Sequence, residues 1–224
     1  MRSPEVELAT RRPFVLGVGW GLLALLAPNG PAWAADKKLI RIGVTKLVAH
    51  PALDAAEKGF EVALASAGFK EGVNVIYDRQ NALGDATKAD DIARKFVADK
   101  VDLIHAIATP TTQAIIKTRT DIAVVFSGVS DPVGAGIVPG DSASGNKTGT
   151  NVTGVSDPWP VRLQLETYAK FVPQARKWGT IYNPAEANSV SHIQTMREAA
   201  KALGLELIEA NATNATEVEQ AAKS

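Results

Sequence analysis

Cysteine is absent from the 224 residues. That removes disulfides, thiolate metal sites, cysteine nucleophiles and a lipoprotein anchor at once. Charge of one sign is also missing, since 24 Lys and Arg balance 24 Asp and Glu, and aromatic residues make up only 6% of the chain. No basic field exists to gather phosphates and few rings exist to stack bases, so nucleic acid is not an expected partner. Long apolar runs are lacking too. The longest, Phe14 to Ala27, spans about 14 residues, short of the roughly 20 a membrane-crossing helix needs. A permanent membrane anchor is therefore not expected. With 46% hydrophobic and 21% charged residues, what remains has the balance of a folded globular chain.

The apolar run has a specific context. Arg11 and Arg12 precede it, Pro28-Asn29-Gly30 break it, and Ala32-Trp33-Ala34 follow. A charged region, an apolar core and an A-x-A site in that order read as an export signal over residues 1–34, cleaved after Ala34. Arg11-Arg12-Pro13-Phe14-Val15-Leu16 also fits a twin-arginine signal, so general secretory and twin-arginine export both stay open. Either route leads to a released, periplasmic protein.

From Leu39 onward short β-rich runs alternate with helical patterns, the signature of βαβ units around parallel sheets. The expected strands are Leu39–Val44, Val73–Asp78, Leu103–Ala108, Ala123–Phe126, Asn151–Val155, Trp178–Tyr182 and Leu205–Ala210. A first helix is expected from Pro51, with Leu53, Ala56, Phe60 and Leu64 on one face and Gly68 past its end. Others are expected after Gly84-Asp85, at Thr109-Pro110 and near Asn188-Ser189, the last ending at Gly204. The polar stretch from Val138 to Gly149 reads as a connector, and Ser156-Asp157-Pro158-Trp159-Pro160 as the crossing into a second lobe. The expected organisation is an α/β chain of doubly wound parallel lobes. Residues 35–157 form the N-terminal ligand-binding lobe and 158–224 part of a C-terminal one. A helix expected to start near Glu217 has barely two turns before Ser224, and two strands are too few to fill a lobe. The second lobe is thus expected to be truncated.

Ligands of open parallel sheets bind beyond the carboxyl ends of the strands, where helix N-termini present unpaired N–H groups. Thr109, Thr111 and Thr112 fall in such a position and suit a ligand carboxylate, or else Thr109 merely caps a helix with Pro110 in its first turn. Ser127 and Asp131 follow another strand; Asp131 can receive an ammonium, or simply start an Asp-Pro turn. Asn183, Asn188 and Ser189 can close over a ligand from the second lobe, or serve as turn and cap residues. His50 lies in the first ligand-facing loop.

Catalytic constellations do not stand out. Gly140 to Thr148 approaches a phosphate loop, but Asn146 separates glycine from lysine and no helical pattern follows. His50, His105 and His192 have no metal-ligand spacing, and no G-x-S-x-G elbow occurs. Neither a cofactor nor a metal is expected. The N-glycosylation patterns at Asn146, Asn151, Asn211 and Asn214 are read as chance.

Several separated segments share a wider likeness: His50-Pro51-Ala52-Leu53-Asp54, Ala108-Thr109-Pro110-Thr111-Thr112-Gln113, Phe126-Ser127-Gly128-Val129-Ser130-Asp131-Pro132-Val133, Asn151-Val152-Thr153-Gly154-Val155-Ser156-Asp157 and Tyr182-Asn183-Pro184-Ala185-Glu186-Ala187-Asn188-Ser189. Together they resemble the tryptophan/tyrosine-type substrate-binding proteins of ABC transporters, over nearly the whole mature chain. The resemblance implies a type I periplasmic binding fold, in which two α/β lobes close on an amino acid, with a membrane permease as partner and no catalysis. It implies cleft positions at Thr109, Thr111 and Asp131 in one lobe and Asn183, Asn188 and Ser189 in the other. A monomer is expected. An exported receptor domain and an exported α/β enzyme are the rival readings.

Overall fold

The structure is a computed structural model that describes residues 39–140 and 149–224. The export signal expected over residues 1–34 and most of the stretch from Gly140 to Thr148 lie outside the described residues. Among the described residues no helix is long and apolar enough to cross a membrane.

The first lobe is a five-stranded sheet in the order β2-β1-β3-β4-β5. Its strands are β1 (Ile40–Lys46), β2 (Val75–Asn81), β3 (Leu103–Ile107), β4 (Ala123–Val129) and β5 (Val152–Ser156). All neighbours pair parallel. Helices α1 (Pro51–Ser66), α2 (Ala86–Ala98) and α3 (Thr109–Lys117) make the crossovers between the first four strands. Their starts follow from local chemistry: His50 caps α1 with Pro51 behind it, and Asp85 accepts from the Thr87 and Lys88 amides at the start of α2.

Two apolar clusters flank this sheet. Leu53, Phe60 and Leu64 of α1 pack on Ile42, Val44, Val75 and Ile107. On the other face Ala89, Phe96 and Ile115 of α2 and α3 meet Ile104, Ala106, Val124 and Phe126. Burial on both faces explains the runs of consecutive buried residues in β1 and β3. Gly43 is where Phe96 presses closest, for a Cβ there would lie 2.8 Å from its ring.

After β5 the chain crosses through Asp157–Pro160 into α4 (Val161–Phe171), β6 (Lys177–Tyr182), α5 (Ala187–Ala202) and β7 (Glu206–Asn211). A 3₁₀ turn (Ala215–Glu217) and α6 (Val218–Lys223) follow. Strands β6 and β7 pair parallel as a separate sheet. Its small core joins Leu165 of α4 and Ala199 and Ala200 of α5 to Trp178, Met196 and Leu207.

All seven expected strands are present, with boundaries displaced by a few residues. The displacements have functional weight at the carboxyl ends. β1 continues to Lys46 and β4 to Val129, so Ser127 belongs to a strand and not to a loop. Helix α3 starts one residue earlier than a Thr109 cap would place it: Ala108 is the cap and Thr109 the first helical residue.

Candidate functional site

The start of α1 and the carboxyl ends of β4 and β6 converge with α5 around a cavity of about 460 Å³. From the first lobe it is lined by His50, Ala52, Leu53, Gly128 and Ser130. The crossing segment and α4 contribute Asp157, Trp159, Val161 and Gln164, and the second lobe Thr180, Tyr182, Asn188, Ser189, His192 and Met196 among others.

Each lining element has a local reason for its position. The β4–β5 pairing loses register between Phe126 and Val129, which takes Ser127 and Gly128 out of that ladder while Ser127 still pairs with Ile107 of β3. Gly128 takes φ 64°, open to glycine at little cost, and so brings backbone to the cavity wall. His50 is fixed by its capping duty, Nδ1 accepting from the Ala52 amide at 3.2 Å. Trp159 lies over the His192 imidazole with ring centroids 5.2 Å apart and planes 14° from parallel. Burial lowers the His192 pKa, while the Asp131 charge pulls it the other way.

Of the residues expected from sequence, the structure brings His50, Asn188 and Ser189 to the cavity. The others are not among the residues that line it. Thr109, Thr111 and Thr112 are buried, and two of their hydroxyls donate to backbone carbonyls. Thr111 Oγ1 donates to Ile107 at 2.6 Å, and Thr112 Oγ1 to Ala108 at 2.8 Å. These bonds hold Ala108 at φ 84° and ψ 156°, a conformation that costs a non-glycine residue about 1–3 kcal/mol and persists only when its surroundings impose it. Ser127 Oγ shares a 3.0 Å hydrogen bond with His105 Nε2 beneath the site. Asn183 closes its own turn, Oδ1 accepting from the Ala185 amide and Nδ2 donating to Glu186.

Asp131 joins the lobes. Its Oδ1 accepts from the Gly134 amide at 2.8 Å and its Oδ2 from Ser191 Oγ of α5 at 3.1 Å. Neither Asp131 nor Ser191 lines the cavity, so this hydrogen bond ties the lobes to each other and forms no part of its wall. Ser191→Ala is expected to weaken ligand binding about three- to tenfold, the worth of one ordinary intramolecular hydrogen bond, and to expand the unliganded protein in X-ray scattering. Unchanged affinity and dimensions would remove the latch role.

Sequence reasoning missed Tyr182 and His192 as cavity residues and placed Trp159 only at the crossing between the lobes. A usable signal was present in α5, where Asn188, His192 and Met196 recur every fourth residue and so share one face.

The family description "ABC transporter substrate binding protein" matches residues 41–224. The chain belongs to the ABC transporter substrate-binding protein family. It is 42% identical over 189 residues to a tyrosine-binding protein of Clostridioides difficile strain R20291, covering 84% of this chain and 54% of that protein. It also resembles the ABC domain in complex with L-Trp from Streptococcus pneumonia, with 32% identity, a TM-score of 0.75, and coverage of 81% of this chain and 60% of that one. The ligand-free, open structure of a substrate-binding protein with adhesive properties from Clostridium difficile is 43% identical over 81% of this chain and 60% of that one, yet its TM-score is 0.58. The chain thus spans little more than half the length of these relatives.

The more similar sequence gives the poorer superposition. The fold is the type I periplasmic binding fold expected from the resemblance.

Proposed function

We propose that this chain is the ligand-gripping part of a periplasmic solute-binding protein that delivers an aromatic amino acid to the permease of an ABC importer. The observation that carries the reading is the cavity between the lobes, with Trp159, Tyr182 and His192 in a wall that also offers hydroxyl, amide and carboxylate groups. Its size falls in the range of small-molecule sites, which pair aromatic walls with a few placed polar groups. Relatives named for tyrosine and tryptophan support the ligand class. In this reading the signal at residues 1–34 exports the protein to the periplasm, where it acts as a monomer. Ligand contacts from both lobes favour the closed state, which the permease reads; no nucleophile or cofactor is needed. In this scheme Asp131 contributes through lobe closure, and Thr109, Thr111, Thr112, Ser127 and Asn183 by shaping the frame.

A thermal-shift panel of amino acids, sugars and nucleosides on the full-length protein tests this. A ligand at about a hundred times its Kd stabilises by about 2.7 kcal/mol, a rise of several degrees. L-tyrosine or L-tryptophan should give it; a shift with sugars or nucleosides alone would overturn the reading. Trp159→Ala should lower affinity for the aromatic amino acids about tenfold and for L-leucine much less, because a ring contact adds about 0.5–1.5 kcal/mol beyond burial. Titration calorimetry reads the difference, and equal losses for all three amino acids would remove the stacking role.

A further inference from the structure

Two side chains one turn apart on α5, Asn188 and His192, line the cavity. Each carries a buried polar atom that has no hydrogen-bond partner, Asn188 Oδ1 and His192 Nε2. Such an atom is costly when left unpaired, so two on one wall of a ligand cavity point to a group that binds there. The His192 ring cannot readily turn away, because it lies flat against Trp159. Its lowered pKa keeps the imidazole neutral at pH 7, with one ring nitrogen able to accept. Asp157 adds a carboxylate to the same cavity.

The wall therefore offers an amide oxygen, a neutral imidazole nitrogen and negative charge nearby. An ammonium has three donors and no acceptor, and matches that set. A carboxylate would face an acceptor oxygen and a like charge. We propose that Asn188 and His192 form the subsite for the α-ammonium group of the bound amino acid and set the requirement for it. This assignment rests on the amino-acid reading above. The pairing through His192 requires its proton on Nδ1 and the lone pair on Nε2.

The test uses three ligands against the full-length protein: whichever of L-tyrosine and L-tryptophan binds more tightly, the matching amine without the carboxylate (tyramine or tryptamine), and the matching acid without the amine (3-(4-hydroxyphenyl)propionate or indole-3-propionate). Two variants are compared with wild type by titration calorimetry. Asn188→Leu keeps the volume and removes the acceptor; His192→Phe keeps a ring against Trp159 and removes the nitrogens. Each variant should weaken the amino acid and the amine about ten- to a hundredfold, the range of a hydrogen bond to a charged group, and change the deaminated acid less than twofold. Either variant alone decides. Equal weakening of the deaminated acid, or no weakening of the amino acid, overturns the assignment and leaves the amino-acid reading standing. If a folded wild-type protein binds neither amino acid, that reading falls and the assignment falls with it.

Discussion

Gly154→Ala should lower stability by about 3 kcal/mol or more, the largest loss expected from adding a single methyl group at any of the described glycines. Gly154 sits in β5 opposite Phe126 of β4. A Cβ at that position would lie 2.3 Å from the Phe126 carbonyl oxygen and 2.5 Å from its ring. The oxygen is backbone and cannot swing aside, and the ring is buried in the first-lobe core. Relief requires β5 to part from β4 or Phe126 to leave its packing, and either change passes into the irregular stretch that presents Gly128 to the cavity. Affinity should fall together with stability. In a domain of this size the loss corresponds to a melting temperature lower by about 6–12 °C. Gly179→Ala is the control, since a Cβ there meets nothing within 4 Å. It should leave the melt within a degree or two, or raise it by the reduced freedom of the unfolded chain. If both variants melt alike, β5 does not pair closely with β4 and the wall built on that pairing is wrong.

The contrast between these two glycines shows what the sequence can carry. Both lie in strands that the alternation of β-rich runs and helical stripes locates, because local periodicity registers backbone state. That one is pressed against Phe126 and the other faces open space depends on a partner strand nearly 30 residues away in sequence, and local pattern holds no trace of it. The site divides the same way. His50, Asn188 and Ser189 were legible because the rule of strand carboxyl ends depends on topology alone. Thr109, Thr111 and Thr112 occupy a topologically suitable place, but the hydroxyls of Thr111 and Thr112 turn inward to hold Ala108, a choice made by a backbone conformation that residue type does not announce. Trp159 reaches the cavity only because the crossing folds it onto His192, a contact that no spacing predicts. The two lobes were legible from the Pro-rich crossing at Ser156–Pro160 and the new βα series after it, and the family resemblance added that they close on a ligand.

His105 should make the folded state sensitive to acid, the second large effect. It is fully buried in β3, stacked on Phe60 at 4.1 Å, with Nε2 bonded to Ser127 and Nδ1 lacking a partner among the described residues. Burial holds its pKa down at about 4, against an ordinary value of 6.5. The unfolded chain therefore takes up a proton near pH 6.5 while the folded chain refuses it until about pH 4. Stability from this group is complete above pH 6.5 and is lost as pH falls through that window. The sum is about 3 kcal/mol, at about 1.4 kcal/mol per unit. Urea unfolding of wild type and His105→Gln between pH 7 and pH 4 isolates the effect, because the carboxylates that also titrate at the acid end are common to both. Wild type should lose about 3 kcal/mol more than the variant over that range, and parallel curves would show that His105 protonates without unfolding the lobe. The consequence reaches the ligand site. Ser127 precedes Gly128 in the cavity wall, so a charged imidazole forced against Ser127 disturbs the irregular β4 segment on which the first lobe's half of the cleft depends. Ligand affinity should accordingly fall below about pH 5 in wild type more than in His105→Gln, a difference that separates this buried histidine from any titration within the cavity itself.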